Sequence, residues 1–318
     1  MAETKRNDNI RLMAIIWNPH VKLILSDVDE TVADVYTQAT QPMVDELTSL
    51  LREGKVIFFV SGGGLNSIHQ RVVQQIPMHT RKQILIGHCS GAEVWGYSHD
   101  GSLRDQPYYS VYNEILSDDK KKKWRETIQE IITLFNLKTV APMPVIEFKK
   151  HYKEDPLTVM LDDRGPQITL ELVNSYDLSP QQIQELSLEV PQTNGAYDLR
   201  IPILEKADEL FQKYQLPITP KLGGVFALDF VLQGVSKTTA IDKALTNQAL
   251  LENTGLTTSI IHSAELVEIW GDKFSTIHGG TDRHMCEAVD PQVRAIDFRE
   301  EDPQEFPEGF HIVVWNGQ

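Results

Sequence analysis

Two aspartates one residue apart, Asp27 and Asp29, follow an apolar run in VKLILSDVDET (residues 21–31), which Thr31 closes. A short apolar run bounded by polar residues reads as a buried strand. Carboxylates crowded at its end need an opposite charge, and hard divalent cations prefer carboxylate oxygens. Three further polar clusters sit in comparable positions. Ser61-Gly62-Gly63-Gly64 follows the apolar run KVIFFV and offers a hydroxyl and unobstructed backbone N–H groups ahead of a helix, a cradle for an anion. Lys237 stands in the first turn of a helix capped by Ser236, where its charge opposes the helix dipole. Asp272 and Asp282 lie ten residues apart in GDKFSTIHGGTD, a polar stretch able to fold back on one cation.

Together these groups have a consistent chemistry. One aspartate attacks phosphorus and forms an aspartyl-phosphate. A second protonates the leaving oxygen and later activates water. A serine or threonine hydroxyl, glycine N–H groups and a lysine hold the phosphoryl oxygens, and magnesium on the remaining carboxylates offsets the charge. Each cluster alone also has an ordinary reading: a side-chain-stabilised turn, a flexible glycine loop, a solvated lysine, a pair of loop aspartates. A calcium loop starting at Asp27 is excluded, because its sixth position is Val32 and its twelfth Gln38. The glycine run matches neither a Walker loop nor a dinucleotide fingerprint.

The elements that must position these residues read as a doubly wound α/β sheet. A helix opened by Thr40 and Pro42 and ended by Gly54 separates the first two strands. A second helix spans 65–75, a third strand 83–86, and residues 87–101 turn like a hairpin. From residue 104 the texture changes. An amphipathic helix carries Trp124, Ile128, Ile131 and Phe135, strand-like pieces follow at 145–148, 158–161 and 167–173, and helices start at Ser179-Pro180 and Pro202. This irregular alternation predicts an α+β insert over 104–221 between two core segments, 1–103 and 222–318. The doubly wound pattern returns with a strand at 223–232, the helix of Lys237, a strand at 266–270, a helix near 282–288 and a strand at 310–314.

With 318 residues, 41% apolar and 24% charged, the chain has the composition of a folded, soluble protein. It lacks an apolar run long enough to span a membrane, and its two cysteines are too few for a disulfide framework, so a cytoplasmic setting is expected. The net charge of −15 argues against nucleic acid as a partner. The basic run Lys120–Lys123 with Arg125 reads as a solvated helix face, and His278 and His284 as structural or solvent-facing rather than ligands.

The motifs DVDET (27–31), VSGG (60–63), GVSK (234–237) and GDKFSTIHGGTD (271–282), in that order and placement, resemble those of the haloacid dehalogenase (HAD) superfamily. The resemblance implies a Rossmann-like HAD core. It implies Asp27 as nucleophile and magnesium ligand, and Asp29 as acid/base with its main-chain carbonyl on the metal. Ser61 and Lys237 would bind the phosphoryl group, with Thr31, Gly62 and Gly63 beside them. Asp272 would be a metal ligand and Asp282 would support the metal shell. The insert resembles a type-2 cap, as in sugar-phosphate phosphatases and eukaryotic-type phosphomannomutases, and LDDRGPQITLEL (161–172) offers Arg164 and Gln167 toward a substrate. Glu30 stands where the superfamily usually has Gly, and Thr281 where Asn is usual. The expectation is a magnesium-dependent phosphatase whose partner is a small phosphorylated metabolite, a sugar phosphate in the first instance, with neither nucleic acid nor membrane, and with a homodimer left open. The alternatives are a phosphohexose mutase, which needs several cap cations, and a non-catalytic binder of a phosphorylated ligand.

Overall fold

The computed structural model describes residues 16–35, 37–153, 155–186, 190, 192–193, 196–277 and 279–315. Ile10, Leu12 and Ile15 of the N-terminal segment, and His278, lie outside the described residues. The chain begins with β1 (Leu23–Ser26), α1 (Gln41–Arg52), β2 (Val56–Val60), α2 (Leu65–Arg71) and β3 (Ile84–His88). It then turns back through β4 (Glu93–Gly96) and β5 (Tyr109–Ser110), antiparallel to what precedes. The insert comprises α3 (Val111–Ile115), α4 (Asp118–Leu134), β6 (Lys138–Val140), α5 (Val145–His151), β7 (Thr158–Asp163), β8 (Gln167–Glu171), α6 (Pro180–Leu186), β9 (Gln192–Thr193), β10 (Ala196–Tyr197), α7 (Arg200–Lys213), β11 (Ile218–Gly223) and β12 (Ala227–Leu232). The core resumes with α8 (Lys237–Leu245), α9 (Gln248–Thr254), α10 (Thr258–Ile261), β13 (Val267–Gly271), α11 (Arg283–Cys286), β14 (Arg294–Asp297) and β15 (His311–Val314).

The core sheet runs β15-β14-β13-β1-β2-β3-β4-β5 and is parallel from β15 to β3. Its central strands are continuous apolar runs because both faces are covered. Leu23, Leu25, Val56 and Phe58 pack on Ala240, Ile241 and Ala244 of α8. Ile24, Ile57 and Phe59 point the other way, onto Val44, Leu47 and Leu51 of α1. The doubly wound α/β architecture is therefore the one predicted.

The insert forms a second sheet, β11-β12-β8-β7-β6. One face buries Ile168, Leu170, Leu228 and Phe230 against Trp124 and Ile128 of α4 and Leu210 and Phe211 of α7. The opposite face is polar around Thr169 and apolar toward α5, where Met160 packs with Phe148 and Val173. The strand expected at 223–232 in the core belongs here instead: β12 pairs with β8 and β11. Its alternation of half-exposed and buried residues is the signature of a one-sided antiparallel strand, not of a core strand covered on both faces. The insert therefore starts after β5 and ends with β12, rather than spanning 104–221. Residues 145–148 are helical, since only Phe148 is buried and Ile146 stays exposed. Thr40 takes the N-cap position of α1 without a side-chain hydrogen bond. The basic run is not wholly solvated. Arg125 donates to both carboxylate oxygens of Asp163 (3.0 and 2.8 Å) and to the Gly165 carbonyl (2.8 Å), pinning the β7–β8 turn. Among the described residues, no helix is long and apolar enough to cross a membrane.

The approach of α8 to the loop after β3 is tight. Gly91 has φ +89°, and a Cβ there would lie 2.2 Å from the Ala240 Cβ. Gly91→Ala is expected to cost about 2 kcal/mol or more, from left-handed strain plus overpacking. Urea denaturation checks this, and an unchanged midpoint would contradict it.

Candidate active site

β1 lies between β13 and β2, so chain connections leave it in opposite directions and the loops after all three strands meet at one edge. Asp27 continues β1, donating its N–H to the Trp270 carbonyl (2.9 Å). Asp272 directly follows β13, and Ser61 follows β2 with its N–H on the Gly87 carbonyl (2.9 Å). Lys237 opens α8, whose cap is the Ser236 hydroxyl accepting from the Thr239 N–H. Sequence positions far apart are thus gathered by the sheet itself.

Lys237 is 4% exposed, and its Nζ donates to Asp27 Oδ1 (2.6 Å) and Asp282 Oδ1 (2.7 Å). The other oxygen of Asp282 accepts the N–H groups of Asp272 (2.9 Å) and Lys273 (3.0 Å), which folds the 271–282 loop back as its spacing suggested. Asp27, Asp272 and Asp282 each present a carboxylate oxygen within 4.8 Å of the others. Burial pushes the Asp27 carboxyl up to about 7, against the pull of Lys237. Burial and then Asp282 push Asp272 up to about 6, opposed by Lys273 and Arg299. Lys237 is held above its usual range: burial disfavours its charge, but Asp27 and Asp282 outweigh that.

This donor set fits a hard divalent cation. It is all oxygen, Lys237 is its buried cation while the Lys273 and Arg299 that reach Asp272 are exposed to solvent, and the buried Asp272 Oδ1 has no hydrogen-bond partner among the described residues. Magnesium or a similar ion is the group that would complete it.

Asp29 lies off this triad. Its carboxylate pairs with Arg71 of α2 at 2.7 Å. The same guanidinium donates to the carbonyls of Thr37 (2.7 Å) and Asp34 (2.8 Å), so Arg71 staples the segment after β1 and holds the Asp29 side chain. Glu30 adopts φ 59°, the left-handed conformation that favours glycine. The turn is thus kept despite the substitution, aided by Glu30 N–H on the Ala33 carbonyl (2.9 Å) and Glu30 Oε1 accepting from the Val35 N–H (3.2 Å). Thr31 is buried with no partner for its hydroxyl among the described residues.

Ser61 is buried, and its Oγ accepts from the Gly63 N–H (3.1 Å). Cys89 and Ser90, both at positive φ, clamp the glycine loop by donating to the carbonyls of Gly63 (2.9 Å) and Ser61 (2.8 Å). Arg164 crosses from the insert to this loop: NH1 donates to the Gly62 carbonyl (3.2 Å), Nε to Asp162 (2.6 Å), and its stem passes 3.2 Å from where a Gly64 Cβ would sit. Gln167 is turned into the insert's own network, donating to Thr169 (3.1 Å) and Asp229 (3.0 Å). His284 pairs with Glu287 (2.8 Å), apart from the carboxylate triad.

Sequence reasoning missed Arg71, Arg299 and Asp297. Arg299 reaches Asp272 Oδ2 (3.3 Å) from the loop after β14, and the buried Asp297 orients that loop by accepting the N–H groups of Arg299 (3.2 Å) and Glu301 (2.8 Å). These residues carry no local motif, and only the tertiary fold brings them in.

No family model matches the chain, and no curated protein does. Solved structures share its fold. A haloacid dehalogenase-like hydrolase from Bacteroides thetaiotaomicron aligns with a TM-score of 0.53 at 14% identity, over 92% of this chain and 93% of that one. A HAD-superfamily phosphatase from the same organism aligns at 0.47 and 15%, over 95% and 92%. An IMP-nucleotidase of Plasmodium falciparum aligns at 0.47 and 14%, over 91% of this chain but only 65% of that one, so this chain spans less than two thirds of its length. The chain has the haloacid dehalogenase fold that its motifs anticipated.

The carboxylate triad makes a stability prediction. Asp27 and Asp272, raised in the folded state, contribute stability that is present below the ordinary carboxylate range near 3.8 and lost as pH rises through about 6 to 7. In chelator, the melting temperature should therefore fall between pH 4 and 7 more steeply than in Asp27→Asn or Asp272→Asn. Added magnesium should restore it at pH 7. Parallel curves for all three proteins, unaffected by magnesium, would contradict this.

Proposed function

We propose that the protein is a magnesium-dependent phosphatase that hydrolyses a small phosphorylated metabolite, with a sugar phosphate as the first substrate class to examine. The observation that carries this reading is Lys237 bridging Asp27 and Asp282 beside Asp272, at the strand ends that also present Ser61. The fold shared with the hydrolase above is compatible with it.

Asp27 is the proposed nucleophile. Its carboxylate attacks phosphorus, the ester oxygen leaves, and an aspartyl-phosphate forms. Ser61 Oγ, the N–H groups of Gly62 and Gly63, the Thr31 hydroxyl and Lys237 Nζ hold the phosphoryl oxygens. Asp29 hands a proton to the leaving alcohol, then takes one from the water that attacks the aspartyl-phosphate. Asp29 rests against Arg71 at 2.7 Å, off the carboxylate triad, and in this cycle it moves off Arg71 to reach the leaving oxygen. Asp27 and Asp272, with Asp282 and the Asp29 main-chain carbonyl in support, would hold a magnesium ion, which would supply charge neutralisation for the phosphoryl group. The insert is the proposed cap, closing over the site to exclude water from the first step.

A mutase must grip a second phosphate with several cap cations. Among the described residues, Arg164 is the cap side chain hydrogen-bonded to the glycine loop, and its charge is already paired with Asp162. This favours hydrolysis over the phosphohexose mutase reading.

Phosphate release from para-nitrophenyl phosphate with magnesium tests the proposal. Asp27→Asn should lower the rate at least about a thousandfold, the loss expected for a nucleophile. Arg71→Lys should lower kcat by about tenfold with a smaller change in KM, since a lysine lacks the fork that holds two carbonyls and Asp29 together. No turnover by the wild-type protein across a sugar-phosphate panel would overturn the proposal.

A further inference from the structure

The polar face of the insert's sheet narrows the substrate class, an inference that rests on the phosphatase reading. Along β8, Ile168 and Leu170 enter the insert's core, so Gln167, Thr169 and Glu171 share the opposite face. Register places Asp162 of β7 and Asp229 of β12 on either side of Thr169, and Lys221 of β11 beyond Asp229. This face adjoins the glycine loop, because Arg164, in the turn between β7 and β8, hydrogen-bonds to the Gly62 carbonyl.

The charges on it are unequal. Arg164 is spent on Asp162 and Gly62. Asp229 accepts from two neutral donors, Gln167 (3.0 Å) and Thr169 (2.6 Å). Lys221 is exposed on the sheet's edge strand. Glu171 differs from all of these. It is 8% exposed, at the far end of β8 from the Arg164 turn, in register with Met160 and Ala227, and among the described residues no side chain hydrogen-bonds to its carboxylate. Burial first, then Asp162 and Asp229, push its pKa up, against the pull of Arg164. The carboxylate oxygens of Glu171 still open to solvent, so a ligand on that side can donate to them directly.

We propose that Glu171, with Asp229 beside it, receives the leaving group of the substrate, and that this group bears an ammonium or a dense set of hydroxyl donors rather than a second phosphate or a carboxylate. A phosphate monoester seated on Ser61 and Lys237 extends its alcohol portion past Gly62 toward this face. Hydroxyl and ammonium groups donate to free carboxylate oxygens. A second anion meets three carboxylates at low dielectric, with one of the two nearby cations already committed. Glu171 is thus a specificity-determining residue of the cap.

The test compares kcat/KM for glucosamine 6-phosphate, glucose 6-phosphate and glucose 1,6-bisphosphate, with para-nitrophenyl phosphate as the reference ester. The wild-type protein should prefer glucosamine 6-phosphate over the bisphosphate by at least tenfold. Glu171→Gln, which keeps shape and removes charge, should bring that ratio down by about tenfold, mainly through KM for the aminated substrate. If para-nitrophenyl phosphate is hydrolysed but the bisphosphate is used equally well, or Glu171→Gln leaves the ratio unchanged, the specificity inference is overturned and the phosphatase reading stands. If no ester is hydrolysed, the phosphatase reading falls, and the inference with it.

Discussion

The structure depends on one buried electrostatic knot: Lys237 held between Asp27 and Asp282, with Asp272 alongside. Lys237 is the buried ammonium among three buried carboxylates, since Lys273 and Arg299 meet Asp272 from exposed positions, and removing one partner from a buried pair typically costs about 3–5 kcal/mol. The chain meets this cost by anchoring every member in rigid backbone. Asp27 and Asp272 follow adjacent parallel strands, Lys237 sits in the first turn of α8, and Asp282 is fixed by two backbone N–H groups of its own loop. The charge imbalance that remains is what makes the site suited to a divalent cation and a phosphoryl group, which bring opposite charges in near balance.

Around this knot the fold separates rigid from movable parts. Ser61 and the glycine loop are clamped from β2, β3 and the Cys89-Ser90 turn. Asp29, by contrast, is only partly buried and is held outside the triad by Arg71. The proton-moving group of the proposed cycle is thus a carboxylate that rests outside the triad, where Arg71 holds it. The insert reaches the same region: its Arg164 turn, itself pinned by Arg125, hydrogen-bonds to the glycine loop.

Much of this was legible in the sequence. Buried parallel strands ending in Asp27, Ser61 and Asp272 leave unbroken apolar runs followed by polar residues, and the 271–282 loop has the polarity and glycines to fold back. Glu30 was flagged as a departure, and its left-handed φ explains why glycine is usual there. What was not legible has tertiary causes. β12 reads as a core strand until its one-sided burial and its pairing with β11 and β8 show it to be an interior strand of the insert's sheet. The stretch at 145–148 has apolar residues at strand-like density, but its exposed Ile146 shows that packing, not composition, decided its state. Arg71 and Arg299 lie far along the chain from the carboxylates they meet, with no local signature. The resemblance carried by LDDRGPQITLEL offers Gln167 toward a substrate, whereas in the structure its amide donates to Thr169 and Asp229 on the same sheet face.

The central claim is that Asp27 becomes covalently phosphorylated. Acid quenching during turnover, reduction with sodium borohydride and peptide mass spectrometry test it directly, since an acyl phosphate on an aspartate is reduced to homoserine. The account predicts homoserine at position 27 only when magnesium and substrate were both present. Phosphate release without any such conversion, or conversion at a different carboxylate, would contradict it.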